Sequence, residues 1–264
     1  MKSSIYNKIG INYNQTRKAD PYLTEQFLKH LNPKKGGLYL DVGCGTGNYT
    51  NALQQKGFQF MGIDPSIEML KQAHALNKNI EWNFAAAEKT NLDYQSIDGI
   101  MATLTLHHWP NITRAFSEFK YILKPNGKIV IFSSTPQQMK GYWLNHYFPK
   151  MLEDSMKQMP SFDAIETAMN LSGLKISKTE LYNIKPDLED QFLYCGKYNP
   201  ELYFDESIRN GISSFCALAN ITEVEQGLHM LRNDIDSGKI DEIIKSYENN
   251  LGDYLYIIAE KTNL

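Results

Sequence analysis

The sequence predicts an α/β fold: a mostly parallel, seven-stranded sheet with helices on both faces and a mainly helical cap contributed by insertions. Three observations carry this expectation. Short apolar runs of strand type alternate with segments of helical periodicity up to residue 134 of the 264. A glycine-rich turn joins the first such run to a helix. Beyond residue 134 the alternation gives way to stretches rich in Met and aromatic residues. Strands separated by helices need crossover connections, which make neighbouring strands parallel and cover both sheet faces.

Leu23, Phe27, Leu28 and Leu31 recur at helical spacing, and Pro33 with Gly36-Gly37 ends that helix. Residues 38–42 form a short apolar run of buried-strand type. The glycine-rich turn follows, then a helix presenting Tyr49, Ala52 and Leu53 and closed by Gly57. Residues 58–63 read as the second strand, and Ser66 is placed to cap the helix holding Ile67, Leu70 and Ala73. Residues 80–84 are a weaker third strand and 97–106 the fourth. Asn111 opens a helix with Ala115, Phe116, Phe119 and Leu123 on one face. Pro125-Asn126-Gly127 is a turn, and 128–132 the fifth strand. Residues 175–184 and 254–259 supply the last two strands. The division expected is a core of residues 1–134, 173–184 and 253–264, with a cap of residues 135–172 and 185–252 that selects the acceptor.

Composition narrows the function. Lys and Arg total 27 against 30 Asp and Glu, a net charge of −3. A protein that grips a phosphate backbone usually carries a basic stripe, so nucleic acid is not expected as a partner. The three cysteines, Cys44, Cys195 and Cys216, form no C-x-x-C pattern. A disulfide framework or metal site is therefore not expected, and a reducing, cytoplasmic setting is. No signal-peptide pattern and no apolar run of membrane-spanning length is visible, so no membrane association is expected. A monomer or a homodimer fits equally.

The informative segment is Leu40-Asp41-Val42-Gly43-Cys44-Gly45-Thr46-Gly47. Glycines between a strand and a helix let the chain turn tightly and let a ligand approach bare backbone. Ligands of parallel sheets bind at the C-terminal strand ends. The dinucleotide fingerprint G-x-G-x-x-G would put its third glycine at position 48, which is Asn48; here it is Gly47. Asp41, in the strand just before the turn, would repel a pyrophosphate and suits an ammonium. No G-K-S/T follows, which excludes a P-loop. Asp64 lies 21 residues beyond Gly43, where an acidic side chain commonly accepts from ribose hydroxyls.

Together with Gly62 to Ser66, Ala85 to Leu92, Asp98 to Trp109 and Ile122 to Phe132, this segment resembles the successive motifs of class I S-adenosylmethionine-dependent methyltransferases. The nearest resemblance is to trans-aconitate methyltransferase and the ubiquinone/menaquinone-pathway C-methyltransferases. It covers residues 36–134 well and implies a Rossmann-like sheet. It implies S-adenosyl-L-methionine as cofactor and S-adenosyl-L-homocysteine as product. By this resemblance Gly43, Cys44, Gly45 and Gly47 line the cofactor loop, Asp41 supports the methionine end, and Asp64 holds the ribose. Pro65, Ser66 and Met69 border the adenine, and the Thr103 carbonyl and Leu104 lie near the methionine ammonium. The family's usual acid at the adenine is replaced by Ala86, leaving the Ala87 N–H to meet the ring and Glu88 either to compensate or to be a plain surface residue. The stretch Tyr6 to Arg17 resembles a lid, with Tyr13 and Arg17 on the cofactor carboxylate; the alternative is a surface helix with a solvated Arg.

Methyl transfer from a sulfonium is an in-line displacement that asks the protein chiefly for alignment and exclusion of water. A base is needed only if the acceptor loses a proton. His107 and His108 follow the fourth strand and are the candidates, although adjacent residues rarely face the same way; the alternative is a run that only shapes the loop. Trp109, Tyr142, Trp143, His146 and Arg209 are the candidates for acceptor contacts; the alternative is ordinary cap core and a surface Arg. The expected function is methyl transfer to a small molecule. The alternatives are a non-catalytic cofactor-binding module and, less favoured, methylation of a macromolecule.

Overall fold

A computed structural model describes residues 13–261. After a short helix α1 (Tyr13–Thr16) and α2 (Pro21–Leu31), strands and helices alternate: β1 (Leu38–Val42), α3 (Asn48–Gln55), β2 (Gln59–Asp64), α4 (Ile67–Leu76), β3 (Glu81–Phe84) and β4 (Ile97–Thr103). A 3₁₀ turn (Leu106–His108), α5 (Ile112–Ile122) and β5 (Leu123–Ser133) follow. The seven strands lie in the order β3-β2-β1-β4-β5-β7-β6, where β6 is Leu174–Tyr182 and β7 is Tyr254–Lys261. Strands β1 to β5 pair in parallel, and β7 runs antiparallel between β5 and β6. The sheet order therefore reverses direction beside β1, and the crevice at the C-terminal ends of β1 and β4 is the position where such sheets bind ligands.

Local chemistry explains the helix starts. The side chains of Asp20, Ser66 and Asn111 accept from Leu23, Met69 and Arg114 N–H respectively, so each caps its helix. The apolar faces of the helices bury Leu23 and Phe27 on one side of the sheet and Phe116 and Phe119 on the other.

Three expectations need correcting. The fourth strand stops at Thr103 rather than 106, because Leu104 takes a left-handed backbone (φ 53) and a 3₁₀ turn begins. The expected turn at Pro125-Asn126-Gly127 is absorbed into β5 as an irregularity, where the register to β4 shifts between Ile97 and Gly99. Within 135–172, helices α6 (Pro136–Lys140), α7 (Leu144–Tyr147) and α8 (Pro149–Gln158) build over the strand ends, but α9 (Phe162–Leu171) lies on the sheet. It packs against α5 and β6, burying Ile165, Ala168 and Met169 with Phe116 and Ile257. The rest of the cap comes from the excursion between β6 and β7: a loop, a 3₁₀ segment (Pro200–Phe204), α10 (Glu206–Asn210), α11 (Ser213–Ala217), α12 (Ile221–Asp236) and α13 (Ile240–Ser246). Among the described residues no helix is long and apolar enough to cross a membrane.

Candidate functional site

The glycine loop leaves β1 with Gly43, Gly45 and Gly47 all at positive φ. At Gly43 a Cβ would fall 2.2 Å from Thr105 Oγ1, so the close approach of the segment after β4 requires glycine there. At Gly45 a Cβ would meet nothing within 4 Å: this backbone faces open space. Gly45 N–H donates to Asp64 Oδ2 (3.0 Å), and Ser66 N–H donates to Asp64 Oδ1 (2.8 Å). One carboxylate at the end of β2 thus fixes both the loop and the start of α4. Burial pushes Asp64 up to about 6, offset in part by these two N–H groups.

Asp41 is almost fully buried. Its Oδ2 accepts from Thr50 Oγ1 (2.6 Å), but Oδ1 has no partner among the described residues. Burial raises it to about 7, against the favourable Thr50 bond. Thr103 Oγ1, at the end of β4, is likewise buried and unpartnered. Buried polar atoms are nearly always hydrogen-bonded, so orphans converging on a cleft mark a place for ligand groups.

Two adjoining cavities meet here. The smaller is lined by Asp41, Cys44, Thr46, Asn48 and Tyr49 and shares Arg17, Gly43, Gly45 and Thr103 with the larger. Within it the Cys44 thiol is raised by burial. The larger encloses about 1020 Å³, its open mouth included, in the range of ligand clefts. It runs from Asp64, Pro65, Ser66 and Met69 past Leu104 and on beneath the cap.

His107 and His108 both line this cavity, which overturns the expectation that neighbours diverge. The 3₁₀ turn brings their rings to 3.8 Å between centroids. His107 Nδ1 is buried and unpartnered. Burial holds His107 well below the ordinary histidine value, and the nearby charges of His108 and Arg17 add to this. His108 is lowered to about 4 by the protein mass around the mouth, although its own surface is exposed.

Other expected residues lie elsewhere. The Arg17 guanidinium reaches the cavity wall, but Nε binds Asp190 Oδ1 (2.5 Å) and Nη2 binds Asp190 Oδ2 (3.3 Å). Asp190 also accepts from Tyr49 OH (3.1 Å). The Arg is therefore held by a protein carboxylate instead of being solvated. Residues 6–12 and the Tyr13 side chain, expected in the lid, lie outside the described residues. Ala86 is exposed, Ala87 is buried in the sheet core, and neither lines the cleft. Glu88 is turned to the start of α5, accepting from Asn111 N–H (3.0 Å).

The aromatic candidates are core. Trp109 packs edge-on against Phe116 and Phe119. Tyr142 stacks on Tyr194 at 4.0 Å, and Trp143 Nε1 donates to Lys197 O (3.2 Å). His146 sits against Tyr147, outside the cleft. Arg209 Nη1 donates to Tyr203 O (2.6 Å) and lines a separate surface depression. In place of these, the cap side of the cavity uses Ser133, Ser134, Ser155 and Ser214 with Met139, Met159 and Phe192. For Ser133 and Ser134 a signal existed, since they end a parallel strand; for the cap residues none did.

Comparison with known proteins bears on the family and the fold. The family described as methyltransferase domain matches residues 40–131. The structure resembles that of a protein assigned as a methyltransferase of an antibiotic biosynthesis pathway in Anabaena variabilis, with 32% identity, a TM-score of 0.82, and coverage of 94% of this chain and 100% of the other. A Saccharomyces cerevisiae protein assigned as an S-adenosylmethionine-dependent methyltransferase is 27% identical over 180 residues, 60% of this chain and 61% of the relative. Demethylmenaquinone methyltransferase of Bacillus subtilis is 24% identical over 193 residues, covering 65% of this chain and 82% of that protein. The chain thus spans only part of the yeast relative's length.

Proposed function

Because the chain belongs to the S-adenosylmethionine-dependent methyltransferases, we propose that it transfers a methyl group from that cofactor to a small molecule held under the cap. The observation that carries this reading is that bare Gly45 backbone borders both of two adjoining cavities, one holding the orphan Asp41 Oδ1 and the other, which continues beneath the cap, the Asp64 carboxylate. These groups fit a nucleoside with ribose hydroxyls and a cationic amine. Asp64 is the ribose acceptor, Asp41 faces the ammonium, and Pro65, Ser66 and Met69 border the base. Bound there, S-adenosylmethionine supplies a methyl group already activated on a sulfonium. The chain's own work is to orient the acceptor, exclude water and, where the acceptor loses a proton, take it at His107 Nδ1. Burial keeps His107 neutral near pH 7, which leaves a ring nitrogen free to accept, but it also makes the imidazole a weak base, suited to an acceptor that releases its proton readily.

Incubation with methyl-labelled cofactor and a small-molecule extract tests the reading. Label is expected in a small organic product; label confined to macromolecules, or no transfer, would refute it. In the same assay His107→Gln is expected to lower kcat on the order of 10²-fold, with S-adenosylhomocysteine affinity retained. An unchanged kcat removes His107 from proton transfer.

The cleft carboxylates also set a pH dependence. Asp41 titrates at about 7, so below neutrality its protonated form dominates and cannot pair with the ammonium. Only the ionised fraction binds well, and affinity therefore rises with pH. Calorimetry is expected to show S-adenosylhomocysteine binding on the order of tenfold tighter at pH 7.5 than at pH 5.5. Asp41→Asn should flatten most of this slope; a slope equal to wild type would place the titration elsewhere.

A further inference from the structure

We propose that the acceptor is an uncharged molecule with an apolar body and at least one hydroxyl, read by the buried serine pair Ser155–Ser214. This rests on the methyl-transfer reading and names the class of acceptor. Past Thr103 and His107 the cavity wall carries hydroxyls from Ser133, Ser134, Ser155, Ser213 and Ser214. The same wall includes Met139, Met159 and Phe192. Among the described residues this half of the cavity has no Lys, Asp or Glu. The cation on the wall is Arg17, and Asp190 already engages it. An anionic acceptor would enter without a counter-ion, and burying an unpaired charge is strongly unfavourable.

The serine pair is built by two insertions. Ser155 comes from α8 and Ser214 from α11; their Oγ atoms are 2.9 Å apart and both residues are buried. Each hydroxyl both donates and accepts, so a ligand hydroxyl can join the pair without leaving a polar atom unsatisfied. The thioethers of Met139 and Met159 are adaptable apolar surface for the body of the molecule.

The test uses the full chain saturated with S-adenosylhomocysteine, whose own binding is measured first. The probes are three skeletons (phenyl, indole and a ten-carbon prenyl chain), each as the alcohol, the hydrocarbon parent and the carboxylate. Binding is read by calorimetry and by tyrosine and tryptophan fluorescence. For the skeleton that fits best, the alcohol is expected to bind about fivefold tighter than the parent and about tenfold or more tighter than the carboxylate. Ser155→Ala with Ser214→Ala should erase the preference over the parent and leave S-adenosylhomocysteine affinity within about twofold. A carboxylate that binds as tightly as its alcohol overturns the proposal. So does a preference that survives the double substitution, or a panel in which no alcohol binds while S-adenosylhomocysteine does. Failure of S-adenosylhomocysteine itself to bind would instead sink the methyl-transfer reading beneath it.

Discussion

Asp64→Ala is expected to weaken S-adenosylhomocysteine binding well over tenfold, by loss of charge-assisted bonds to ribose. The carboxylate does two things at once. It is the acceptor nearest the end of β2, and it receives the Gly45 and Ser66 N–H groups that shape the cleft floor. Its removal deletes the ligand contact and loosens the loop that carries the bare backbone. Stability should move differently from affinity. Burial raises Asp64 to about 6, above its unfolded value. The native state therefore binds the extra proton, and the stability linked to it is present at low pH and lost as pH rises through about 6. Near pH 7 the ionised group is a strained feature of the free protein. The variant should lose ligand with little loss of melting temperature. Calorimetry at pH 7.5 decides: an unchanged dissociation constant would reject the ribose role.

The second large effect concerns Arg17. Its carboxylate partner Asp190 has a side chain only 1% exposed, and Arg17 itself is 14% exposed. Removing the cation leaves a buried charge with the Tyr49 hydroxyl as its remaining bond in this group. Arg17→Met is expected to lower the unfolding free energy by about 3 kcal/mol in urea titrations, the scale for breaking a buried ion pair. Adding Asp190→Leu should recover much of the loss, because the uncompensated carboxylate is then gone. If Arg17 acted solely on the cofactor carboxylate, the single variant would weaken S-adenosylhomocysteine binding and leave the urea midpoint in place.

The sequence made the sheet legible where burial is two-sided. Leu38–Val42, Gln59–Asp64 and Ile97–Thr103 are apolar runs punctuated by Gly, Pro or Asp, a pattern with few other solutions. The edge strand Glu81–Phe84 alternates weakly because much of it faces water. Helix Phe162–Leu171 was legible as a helix but not as to its place. Its apolar stripe of Ile165, Ala168 and Met169 fits a sheet as well as a cap, and only tertiary packing decides.

The site divides in the same way. The Gly43–Gly47 loop and Asp64 were legible because a glycine-rich turn after one strand and an acid at the end of the next form a sequence pattern, although the loop's contacts reach across the sheet to Asp64 and Thr105. Acceptor contacts were not. Trp109, Tyr142 and Trp143 are aromatics of the kind that can line a pocket, but their large apolar surfaces fill the interior instead. Ser155 and Ser214 carry no pattern, because a serine in a short helix looks the same whether it faces solvent, core or ligand. Arg17 and Asp190, 173 positions apart, meet only through the fold.

The excursion that supplies Ser214 leaves the sheet at Tyr182 and returns at Tyr254, and these two residues are register partners on adjacent strands. A detour whose two feet stand side by side behaves as a removable cassette. Its length can change with only a slow, logarithmic rise in closure entropy, and its contents can change without disturbing strand order. An exchange of residues 183–253 would still have to keep Asp190, which holds Arg17 and Tyr49 beside the glycine loop.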